Sequence, residues 1–89
     1  MMDSGKRTAR ERLMGLVADI LGPARTPQPI PINERLADIG MSSINMVNLM
    51  LAVEAEFDIT IPQTQITPEN FRSIASIEAL VGQLTAPGP

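Results

Sequence analysis

At 89 residues, with 44% hydrophobic and 19% charged side chains and a formal net charge of −3, the chain is long enough for one small core and too short for two. It contains neither Cys nor His, which removes disulfides, thiolate metal sites, a cysteine nucleophile, the commonest metal ligand and the commonest general base, so an autonomous enzyme is not expected. A mildly acidic body with no Trp or Tyr and only Phe57 and Phe71 as aromatic residues offers neither phosphate-backbone attraction nor base-stacking platforms, which excludes nucleic acid as a partner.

The chain is read as a single domain over residues 1–89, with 1–7 and 85–89 as disordered tails. Met1–Arg12 holds Lys6, Arg7, Arg10 and Arg12 against Asp3 and Glu11, and no signal-peptide apolar region follows it. No apolar stretch approaches bilayer length, so a soluble, cytoplasmic monomer with no membrane association is expected. From Thr8 to Leu21, Leu13, Leu16, Val17, Ile20 and Leu21 recur at helical spacing with charges on the other side, which predicts an amphipathic first helix. Gly22 and Pro23 stop it. Pro27, Pro29 and Pro31 then forbid regular helix, because each lacks an amide donor and restricts its predecessor. The long loop that follows reaches Met41, and Ile30, Ile32, Leu36 and Ile39 are the residues able to pin it, with a single turn at Asn33–Leu36.

The second helix, Ser43 to about Glu56, is the strongest helical signal in the chain. Phe57–Pro62 alternates like a strand but is short and has no second strand to pair with, so it is read as an extended connector. Thr67 followed by Pro68 and Glu69 forms a helix entry, and a short third helix is predicted near Pro68–Phe71. Ser73 caps a fourth, in which Ile74, Ile77, Leu80, Val81 and Leu84 recur at helical spacing. The fold class expected is all-α: a small four-helix bundle of three major helices and one short one, with a long first loop.

The second helix carries more large apolar residues than one buried stripe needs. Met46, Leu49, Met50, Val53 and Phe57 make one row; Ile44, Val47 and Leu51 make another, rotated round the helix. Leaving the second row in water forgoes about 1.5–3 kcal/mol of burial per side chain, so it either meets the long loop or waits for a partner. Asn45 and Asn48 beside it favour the partner, keeping that face soluble yet able to hydrogen-bond. At the entrance to the same helix stand two serines. If Ser42 caps the helix, Ser43 is left with a free hydroxyl at its positive end, where a phosphodiester gains about 0.3–1 kcal/mol from the dipole. Gly40 just before them allows close approach to the backbone.

These residues, LADIGMSSINMVNLMLAVEAEFDITIP from Leu36 to Pro62, resemble the core of the acyl and peptidyl carrier proteins, whose usual motif is Gly, a variable residue, then Asp-Ser-Leu. The resemblance extends from about Leu13 to Leu84. It implies that Ser43 bears 4′-phosphopantetheine, delivered from coenzyme A by a phosphopantetheinyl transferase, and that the arm's thiol carries an acyl group as a thioester. It implies further that the second helix is the recognition surface, with Met41, Ser42, Ile44, Val47, Asn48 and Leu51 as partner-binding residues. The catalytic residues then belong to partner enzymes, and no metal is called for.

The chain departs from the family's usual pattern at three places. Ser42 stands where Asp is usual, and Asn45 and Asn48 occupy positions that are normally acidic early in this helix. Charge pattern sets encounter and partner choice, which argues for a dedicated pathway rather than general fatty acid synthesis. GMSS, VNLMLAVE and NFRSIASIE look more like the small aminoacyl carrier proteins. That subtype implies an acyl or aminoacyl ligase, of the stand-alone kind resembling seryl-tRNA synthetase, and a downstream transferase as partners. The alternative is an unmodified helical interaction module, with Ser43 an ordinary cap and the apolar row a protein-docking groove.

Overall fold

The structure, a computed structural model, describes residues 8–85. The expected tails therefore lie outside the described residues, except for Thr85. That residue ends the last helix, where its Oγ1 donates to the Val81 carbonyl at 2.8 Å. Among the described residues there are helices and turns and no strands.

Helix α1 (Ala9–Leu21) opens on a reciprocal capping box: the Glu11 amide donates to Thr8 Oγ1 at 3.1 Å, and the Thr8 amide to Glu11 Oε1 at 3.0 Å. It stops at Gly22, whose φ of 87° is open to glycine and strained for other residues. A single turn of 3₁₀ helix, Pro23–Arg25, starts the loop. Leu13 and Val17 are almost completely buried, and Leu21 and Ile30 nearly so.

The loop is fastened by its own backbone as well as by its side chains. The Leu36 amide donates to the Arg72 carbonyl at 2.8 Å, and the Ala75 amide to the Ile32 carbonyl at 3.0 Å. Ile30 and Leu36 are buried, and Ile32 and Ile39 pack against the core, so all four expected pins are in place. The turn in this loop lies three residues later than the spacing indicated: α2 runs Leu36–Ile39. Burial of Leu36 and its amide bond to Arg72 fix where the helix begins, and Gly40, at φ 120°, ends it.

Helix α3 (Ser43–Phe57) extends one residue beyond the expected end. It takes in Phe57 and closes on Asp58 in the left-handed region at φ 53°. The connector after it is extended, as expected, and is anchored where the Ile61 amide donates to Glu54 Oε2 at 2.8 Å. The short helix expected at Pro68–Phe71 is instead a single hydrogen-bonded turn. Thr67 does cap it, accepting from the Asn70 amide at 3.1 Å, but Asn70 Nδ2 donates back to the Gln65 carbonyl at 2.8 Å. Ser73 already caps the next helix, leaving too few residues to propagate this one. Thus α2 is the short helix of the bundle.

Helix α4 (Ile74–Thr85) buries Ile74, Ile77, Leu80 and Val81. Both it and α3 pack against α1. The basic residues of α1 serve this packing. Arg10 pairs with Glu78 at 2.9 Å, and Arg12 pairs with Glu56 at 2.8 Å while its guanidinium stacks 4.3 Å from the centre of the Phe57 ring.

Candidate functional site

The entrance to α3 is built by the serine doublet and Asn45. The Asn45 amide donates to Ser42 Oγ at 3.1 Å, and the Ser42 amide donates to Asn45 Oδ1 at 3.0 Å. Asn45 is therefore committed to holding the helix start, a role that its place beside the apolar row did not disclose. With Ser42 as the cap, Ser43 is the first helical residue; it is exposed, and its hydroxyl has no hydrogen-bond partner among the described residues. Gly40 precedes the doublet with open space where a Cβ would stand, so only its backbone angle demands glycine.

Downstream of Ser43, α3 separates its two apolar rows. Leu49 and Val53 are fully buried, with Met46, Met50 and Phe57 packed against the core. Ile44, Val47 and Leu51 are 73%, 53% and 54% exposed. Asn48 is exposed among them. One residue of the expected partner face is corrected: Met41 is only 5% exposed and belongs to the core. The loop must turn inward before α3 starts, and the Met41 amide, donating to the Leu36 carbonyl at 3.0 Å, holds it there.

Val47 of the exposed row lines a cleft of about 520 Å³ that also includes Ser43. Met46, Val47 and Met50 form the α3 wall; Ile66, Thr67, Pro68 and Phe71 form the opposite one. Met46 and Met50, which pack against the core, also line this cleft, whereas Ile61 is 4% exposed and lies in the core. Ile66, 41% exposed, was missed. Its only signal was one large apolar residue among Gln and Thr in a connector, too little for a periodicity argument.

The cleft is uncharged on both sides. No ionisable side chain occurs from Ile39 to Val53, nor from Ile59 to Pro68. Charges resume in a neighbouring depression, lined by Arg35, Glu69 and Arg72, that shares Met46, Pro68 and Phe71 with the cleft. Arg35 is itself paired with Asp38 at 3.0 Å, and the hydrogen bond to that carboxylate, followed by its charge, raises the guanidinium above its ordinary pKa. Among the described residues no cluster of three or more His, Cys, Asp or Glu side chains is placed to hold a metal. No described helix is long and apolar enough to cross a membrane.

Residues 11–81 match the family described as "Phosphopantetheine attachment site". The chain is 45% identical over 80 residues to aminoacyl carrier protein 1 of Bradyrhizobium diazoefficiens, covering 90% of this chain and 89% of that one. Its fold superposes with a TM-score of 0.69 and 47% identity on a chain in the crystal structure of the Bradyrhizobium japonicum glycine:[carrier protein] ligase complexed with its cognate carrier protein and an analogue of glycyl adenylate; 83% of this chain and 96% of that one are covered. An acyl carrier protein from Pseudomonas fluorescens, involved in mupirocin biosynthesis, shares the fold at a TM-score of 0.71 and 22% identity, over 90% of this chain and 73% of that one. The chain belongs to the phosphopantetheine-attachment family of acyl and peptidyl carrier proteins: it is a carrier and not an enzyme, and its prosthetic group is 4′-phosphopantetheine.

Proposed function

We propose that Ser43 bears this group and that the chain carries an aminoacyl thioester on it, in a dedicated pathway rather than in general fatty acid synthesis. The observation that carries the reading is the Ser43 hydroxyl: exposed, first in its helix, without a hydrogen-bond partner among the described residues, and on the rim of an apolar cleft. Such a group fits a phosphodiester, because modification breaks no existing hydrogen bond and places the new charge at the positive end of α3. Ser42, spent on the cap, does not compete for the role.

Attachment requires a phosphopantetheinyl transferase. Ser43 Oγ forms the new bond to the phosphorus that bears pantetheine, its proton passes to a base of that enzyme, and the nucleotide half of coenzyme A leaves with the electron pair of the broken phosphoanhydride bond. Once attached, the arm supplies the thiol that this Cys-free chain lacks. The chain's own contribution is to hold Ser43 at a rigid helix start and to offer Ile44, Val47, Asn48 and Leu51 to partner enzymes. The likeness to the aminoacyl carriers supports a stand-alone aminoacyl ligase as the loading enzyme and a transferase as the acceptor. The reading places the carrier in the cytoplasm as a monomer.

Incubation with coenzyme A and a broad-specificity phosphopantetheinyl transferase is expected to raise the intact mass by one phosphopantetheine, and Ser43→Ala to abolish the gain. Retention of the gain in Ser43→Ala, or no gain with several transferases, rejects the assignment. The holo form, given ATP, glycine and the Bradyrhizobium ligase, is then the direct assay of aminoacyl loading.

A further inference from the structure

The modifying enzyme has to bring its reacting phosphorus within bonding distance of Ser43 Oγ, and Ser43 is itself part of the cleft. An enzyme that acts there covers the cleft. Taking the assignment of Ser43 as its starting point, we infer that the docking surface is the two-walled cleft rather than α3 alone, and that its occupant is an uncharged, apolar element of the enzyme that modifies Ser43.

Charge complementarity decides the chemistry of that element. The α3 wall presents Met46, Val47 and Met50 and the facing wall Ile66 and Phe71, with no ionisable group on either. An Arg or Lys pushed into such a cleft would lose its water and gain no counter-charge, a loss that contact with apolar groups does not return. The nearest carboxylates before and after the α3 wall, Asp38 and Glu54, are already engaged with Arg35 and with the Ile61 amide, and Glu69, between Pro68 and Phe71, lines the neighbouring depression with Arg35 and Arg72 rather than the cleft. Apolar contact, by contrast, has a ready surface, because Val47 and Ile66 are about half exposed on opposite walls. The cleft thereby selects against partners that find carriers through a basic patch, which is specificity by an unmet charge as much as by a good fit.

The test measures transfer of phosphopantetheine to Ser43 at saturating coenzyme A, reading the KM for the carrier. With an uncharged contact, KM is expected to change less than about twofold between about 50 mM and 500 mM sodium chloride, since screening acts only on charges. A rise of more than about fivefold over that range means charge-driven docking and overturns the inference. Val47→Asp and Ile66→Asp are each expected to raise KM about tenfold or more at every salt concentration, by burying an unpaired carboxylate. Ile66→Asp decides for the second wall: an unchanged KM reduces the surface to α3. Should that variant lose its helical circular dichroism, Ile66→Ser serves in its place, with KM expected to rise about threefold or more. A concentration-dependent dimer in sedimentation equilibrium that Val47→Asp dissolves makes a second copy of the chain the occupant and also overturns the inference. Failure of Ser43 modification at all salts, in a folded protein, rejects the assignment of Ser43 and is seen in the mass spectrum before any KM is read.

Discussion

The two long faces of the bundle use charge in opposite ways. Where α1 meets its neighbours, Arg10 and Arg12 reach Glu78 and Glu56, and Arg12 also donates to the Glu56 carbonyl and covers Phe57. Where α3 faces the Ile66–Phe71 segment, no side chain can carry charge until Glu69, which belongs to the neighbouring depression. Charge thus holds the chain to itself and is absent from the surface beside Ser43. Ser42, Asn45 and Asn48 leave the start of α3 without an acidic side chain.

The contrast between the inner and outer rows of α3 gives the largest expected effect. Leu49 has no exposed surface and Leu51, two residues on, is 54% exposed. Leu49→Ala should cost about 2–5 kcal/mol of unfolding free energy, enough to threaten a domain of this size. Leu51→Ala should stay within about 0.5 kcal/mol of the parent. Urea denaturation followed by circular dichroism measures both, and equal losses would merge the two rows into one core. The next effect concerns the turn that delivers the doublet. Gly40→Ala meets no steric obstacle but must adopt φ near 120°, at a cost of about 1–3 kcal/mol. Ser42→Ala removes a cap and should cost about 0.5–2 kcal/mol in the same urea assay. It should also leave the phosphopantetheine mass gain intact, whereas Ser43→Ala does the reverse. If the two serines exchanged these phenotypes, the cap and the attachment point would have to be exchanged as well.

Most of the bundle was legible because periodicity reports burial directly. Leu13, Val17, Leu49, Val53, Ile74 and Ile77 were placed inward by spacing alone and are inward. What escaped was set by individual hydrogen bonds that leave no periodic trace in the sequence. The turn at α2 is positioned by a bond from Leu36 to Arg72, and the segment at Pro68–Phe71 is prevented from becoming a helix by Asn70 reaching back to Gln65. The entrance to the site followed the same rule. Ser42 and Ser43 were legible from local capping chemistry, but Asn45 as the second half of the box competed with an equally local reading as a surface amide. Met41 and Ile66 were misjudged or missed because each lies in a connector, where no period says which way a side chain points.

The smallest expected effect tests the charged face. Arg10 and Glu78 form a single pair, 51% and 32% exposed at their side chains, and water competes for both groups. Arg10→Ala should therefore cost no more than about 0.5 kcal/mol, and less as salt is added. Arg12 is less exposed, at 31%, and combines the pair with Glu56, a 2.6 Å bond to the Glu56 carbonyl and the ring of Phe57. Arg12→Ala should cost about 1 kcal/mol, most of it persisting in salt, because stacking and the carbonyl bond do not depend on a screened pair of charges. Arg12→Lys retains the charge but loses the planar fork that lets one side chain satisfy a carboxylate, a carbonyl and a ring together. Recovery of full stability by Arg12→Lys would show that charge alone holds α1 to α3. Persistence of the deficit would show that geometry does, and that the two faces differ in how they use side-chain shape as well as in how they use charge.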